Sequence, residues 1–134
     1  MKRIILLAFL CTTTLVMAQR INHVQEAIAN YDYEAALTLI AKEKPTIPLL
    51  LQKGKAQRGL GMNTEALSTY QEIITNDTAN TRAYIEAAEC CRSLAKYQQA
   101  LKYYEQALDL NPENKYVRIQ YLSLIHISEP TRHS

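Results

Sequence analysis

A chain of 134 residues has room for one small domain. Its formal charge is +2, from 15 Lys and Arg against 13 Asp and Glu. Between residues 19 and 121 the two signs balance at twelve each, so the body exerts no long-range pull on phosphate backbones or acidic membranes. Nucleic-acid binding has no support in this balance.

The N-terminus reads as an export signal. Lys2 and Arg3 form a positive head, residues 4–10 are apolar, and Val16-Met17-Ala18 supplies a small-residue cleavage pattern. Residues 1–18 are therefore expected to be removed, leaving Gln19 first. A retained membrane span is the weaker alternative, because Cys11 and Thr12 to Thr14 interrupt a stretch already short for a bilayer. Acylation of Cys11 is disfavoured by the bulky Leu10 before it. The mature chain is expected to be exported, periplasmic or envelope-associated or secreted, with no integral span.

A period of 34 residues organises the body of the chain. Ala66-x-x-x-Tyr70-x-x-Ile73 recurs as Ala100-x-x-x-Tyr104-x-x-Ala107, Gly61 recurs as Ala95, and Asn80 recurs as Asn114. Units are expected at 47–80 and 81–114. A degenerate helix pair is expected at 21–44, where Tyr33-x-x-Ala36-x-x-x-Ile40 echoes Tyr97-x-x-Ala100-x-x-x-Tyr104. Ala36 lies only 30 residues before Ala66, so the connection through Pro45 and Pro48 must be shortened or one helix trimmed. Residues 115–121 read as the opening turns of another first helix. Tyr84, Ala87, Ala88 and Cys91 keep helical spacing on one face, and Asn111-Pro112 stops the second helix of that unit. Few β-branched alternations occur, so the expected class is all-α.

These positions resemble the tetratricopeptide repeat, whose helix pairs recur at this period. In 81–114, Tyr84, Ala88, Tyr97, Ala100, Tyr104, Ala107 and Pro112 stand at family positions; in 47–80, Gly54, Gly61, Ala66 and Tyr70 do so. Lys53 and Gln57 depart from apolar expectation, and Thr78 stands in place of the proline. The resemblance implies a right-handed superhelical array of antiparallel helix pairs, here in an exported bacterial, Bacteroidetes-like protein. Residues 122–132 resemble, residue for residue, the in-frame translation of a transposase sequencing adapter. Residues 122–134 are accordingly expected to be a non-native tail, with the natural chain continuing past about Tyr121.

No metal-ligand cluster, phosphate loop or nucleophile motif is present, so neither catalysis nor a cofactor is expected. His23 stands alone in an opening helix, and Cys90 and Cys91 read as packed thiols rather than a disulfide. In relatives of this kind the first helices line a concave groove. The resemblance places Leu51, Lys55 and Arg58 of one unit there, with Arg82, Ile85, Glu89 and Arg92 of the next. Such a groove implies a protein or peptide partner and a scaffold role in the cell envelope. The rival expectation is the non-catalytic front of a larger enzyme or sensor. Asp77-Thr78-Ala79 resembles the O-glycosylation site of exported Bacteroidetes proteins, with Thr78 as acceptor.

Overall fold

The computed structural model describes residues 2–128, and every regular element among them is an α-helix. In chain order these are α1 (Lys2–Ala29), α2 (Tyr33–Ile40), α3 (Ile47–Gly59), α4 (Asn63–Asn76), α5 (Thr81–Ser93), α6 (Tyr97–Leu110) and α7 (Lys115–Ser128). Successive helices pair as α1–α2, α3–α4 and α5–α6, and α7 closes the array against α6.

Each hairpin turns on one left-handed residue. Tyr31 (φ 61°), Gly61 (φ 75°) and Ala95 (φ 57°) occupy the same place in successive pairs. Around each, a backbone N–H reaches back across the turn: Asp32 to the Ala27 carbonyl, Met62 to Gln57 and Lys96 to Cys91, at 2.8, 2.9 and 2.8 Å. This is the Schellman ending, which satisfies carbonyls that the helix leaves open. The turns between pairs end in side-chain caps. Asn80 Oδ1 accepts from the Ala83 N–H at 3.0 Å, and Asn114 Oδ1 accepts from Val117 at 3.2 Å. Thr46 does the same for Leu49 at the start of α3, where Pro48 fits the first turn.

Side-chain packing follows the small-residue pattern. Ala66, Ala83, Ala87, Ala88, Ala100 and Ala107 are fully buried, and they let neighbouring helices approach while Tyr70 and Tyr104 fill the space alongside. Gly54 shows how close the approach is. A Cβ there would lie 2.4 Å from the Tyr70 ring. Cys90 and Cys91 are free thiols inside this core. Burial pushes the Cys90 thiol up to about 12 and raises that of Cys91.

The short spacing between Ala36 and Ala66 is absorbed by trimming one helix. α2 has 8 residues where α4 and α6 have 14. At the other end, α7 runs beyond the expected boundary at Tyr121 to Ser128. Val117 and Leu124, seven residues apart and so on one helix face, are both buried. Residues 129–134 of the expected tail, and Met1 of the expected signal, lie outside the described residues. Residues 2–20 form the exposed first part of α1, which is long and apolar enough to cross a membrane. A signal sequence meets the same criterion.

Candidate functional site

The first helices α3, α5 and α7 are tied side by side through a recurring arginine. Arg58 donates to Glu86, and one period later Arg92 donates to Gln120. In both cases a residue near the end of one first helix reaches the sixth residue of the next. Burial alone would lower the Arg58 pKa, but the paired Glu86 carboxylate, together with Cys90 and Tyr70, raises it on balance. These two arginines therefore hold the ladder together while bordering its face.

Glu89 lies deeper than its place in the sequence suggests. It is only 7% exposed. Its Oε1 accepts from the Tyr104 hydroxyl at 2.6 Å and from Tyr116 at 2.8 Å, while Arg92 lies 3.0 Å from Oε2. One carboxylate thus joins α5, α6 and α7. Burial raises the pKa of both tyrosines, and the bond to Glu89 adds to the rise. Glu89 is a structural linchpin with both of its carboxylate oxygens already engaged.

The other residues expected on this face divide by exposure. Lys55 and Arg82 are exposed and form no ion pair among the described residues. Leu51 and Ile85 are half-buried against the core. Sequence reasoning missed the third member of their column. Ile119 stands one period after Ile85, as Ile85 does after Leu51, and is 63% exposed. Tyr116, half exposed, continues the row of Pro48 and Arg82 in the same way. The 34-residue spacing itself was the signal that identifies both.

Charge separates between the two layers of helices. First helices α3, α5 and α7 carry Lys53, Lys55, Arg58, Arg82, Arg92, Lys115 and Arg118 against Glu86 and Glu89. Second helices α2, α4 and α6 carry Glu34, Glu65, Glu72, Glu105 and Asp109 against Lys102 alone. A body neutral in sum is therefore basic along one layer and acidic along the other. Thr78 sits apart, exposed in the α4–α5 connection, where its backbone carbonyl accepts from the Tyr84 hydroxyl at 3.1 Å.

Comparison with known proteins agrees with this architecture. The class defined by the fold is an array of tetratricopeptide-like helix pairs, and residues 81–114 match the family model for the tetratricopeptide repeat. Human tetratricopeptide repeat protein 6 is 30% identical over 89 residues, covering 66% of this chain; the match spans 16% of that protein's length. Among solved structures, the first TPR of Spaghetti (RPAP3), bound to the HSP90 peptide SRMEEVD, superposes with a TM-score of 0.77 at 19% identity. That match covers 82% of this chain and 90% of the other. The Yersinia enterocolitica type III secretion chaperone SycD, in complex with a peptide of the translocator YopD, gives 0.78 at 16% identity, covering 85% and 95%. PcrH with the chaperone binding region of PopB gives 0.71 at 17%, covering 81% and 94%.

Proposed function

We propose that the chain is a non-catalytic interaction module that holds an extended segment of a partner protein along α3, α5 and α7. The observation that carries this reading is the column Leu51, Ile85 and Ile119, repeated once per period on a layer rich in Lys and Arg. Such a surface takes apolar side chains in register and draws in carboxylates through Lys55 and Arg82. The three solved neighbours are each described with a peptide or a partner's binding region, which supports the same kind of occupant. With export as read from residues 1–18, the partner belongs to the cell envelope or beyond.

Binding to an array of extended peptides of graded charge tests the proposal. Peptides that alternate acidic and apolar residues should be retained over basic or purely polar ones, and less so at high salt. Ile119→Asp together with Arg82→Glu should weaken that retention at least about tenfold. Both positions are exposed, so the melt should be unchanged. Equal capture by this variant, or no preference for acidic peptides, would sink the reading. Arg58 and Arg92 are poor choices for the test, because replacing them also cuts the ties between helices.

A further inference from the structure

The trimming of α2 leaves a cavity. In the later pairs the last turn of the second helix fills the space beside the preceding helices with Ile73 and, one period on, Ala107, both fully buried. The counterpart in the first pair, 30 residues before Ile73, is Glu43. It falls beyond the helix end at Ile40 and pairs with Arg20 at 2.8 Å. A space of about 450 Å³ opens there, walled on its apolar side by Leu37, Ile40, Leu49 and Leu50. That volume lies within the range of small-ligand sites, which are concave and mostly apolar with a few polar groups.

Lys53, Gln57 and Glu72 supply those polar groups. Gln57 is only 7% exposed, and its Oε1 accepts from the Thr69 hydroxyl at 2.7 Å. Its amide nitrogen makes no hydrogen bond to protein among the described residues, and the residue lines the cavity. That donor is open to solvent and therefore free to meet an acceptor from outside the chain. Lys53 and Glu72 line the same space, yet neither forms an ion pair among the described residues. Glu43 lines the space too, but its carboxylate is already held by Arg20, so one donor set and one unpaired carboxylate flank an apolar wall.

We propose that this cavity binds a small apolar α-amino acid as its zwitterion. The ligand carboxylate takes the Gln57 amide and Lys53, the ammonium takes Glu72, and the side chain lies against Leu37, Ile40, Leu49 and Leu50. A simple fatty carboxylate would bring a second negative charge toward Glu72. An alkylamine would bring a second positive charge toward Lys53. Only a ligand carrying both charges satisfies both sides.

Calorimetric titration of the full chain with L-leucine, hexanoate and hexylamine tests this. Leucine should bind saturably, and each singly charged probe should bind at least about tenfold more weakly. Glu72→Gln, an exposed change, should lower leucine affinity about tenfold without moving the melt. Ile119→Asp, on the first-helix face, should leave leucine binding unchanged, which separates this site from peptide capture. Absence of saturable leucine binding by the folded chain overturns the proposal. So does hexanoate or hexylamine binding as tightly as leucine, or Glu72→Gln having no effect.

Discussion

The first helix pair and the two later ones obey one plan and differ in how well they close it. Around α4, α5 and α6 the buried side chains form one continuous cluster, extended by Val117 and Leu124 of α7 and centred on the fully buried Tyr70 and Tyr104. Around α1 and α2 a separate, smaller cluster gathers Val24, Ile28, Ala36 and Ile40, without a fully buried aromatic. α3 serves both, since Leu49 and Ala56 belong to the small cluster while Leu50 belongs to the large one. A helix pair cannot bury its face alone, so each depends on what its neighbour presents. The first pair has one neighbour and a shortened second helix, and the unfilled space beside it is the cavity walled by Leu37, Ile40, Leu49 and Leu50.

The largest expected effect comes from emptying the better cluster. Tyr104→Ala should cost about 3–5 kcal/mol in urea unfolding, and it also strips Glu89 of one donor. Ile40→Ala, at the edge of a space already open, should cost less, about 2 kcal/mol. Equal costs would mean that the two clusters are not distinct in stability. Next comes close packing: Gly54→Ala drives a methyl into the Tyr70 ring and should cost about 1–3 kcal/mol. A change within a few tenths of wild type would show that this helix crossing yields easily.

Alkaline titration separates the regions without mutation. The Cys90 thiol, ordinarily near 9, is pushed up to about 12 by burial, and burial raises Tyr70 and Tyr104 as well. The fold therefore favours the protonated forms. Their contribution is complete below about pH 9 and is lost as pH rises from there toward 12. Unfolding midpoints followed across pH 7–11 should hold level and then fall. Cys90→Ala should reduce the fall, whereas changes in α1–α2 should not. The smallest effect belongs to the turns. Ala95 holds a positive φ that Gly61 holds freely, so Ala95→Gly should raise stability by about 1 kcal/mol. A lower melting temperature would show that lost chain entropy outweighs the relieved strain.

Much of this was legible in the residues, and the reason differs by feature. The 34-residue echo of Ala66, Tyr70 and Ile73 in Ala100, Tyr104 and Ala107 located the helix pairs, because a face that must be buried repeats its small and large residues in register. The shortfall between Ala36 and Ala66 announced a trimmed element without saying which. The same period reaches Ile119 and Tyr116, but residues 115–121 by themselves read only as the beginning of a helix, with no second helix to complete the unit. Lys53 and Gln57 stood out as polar residues at apolar positions, and their common cavity accounts for both.

Composition, period and turn residues by themselves determined that the chain is all helical, where its pairs fall and which small residues lie between them. Those features depend on neighbours in sequence, through helical periodicity, caps and the left-handed turn. Only the tertiary structure decided that Glu89 is buried beneath Tyr104 and Tyr116, that Arg58 and Arg92 tie helices together, and that the missing turns of α2 leave a walled space. Burial, pairing and empty volume depend on what another helix brings to the same point. The chain order of one helix does not specify this.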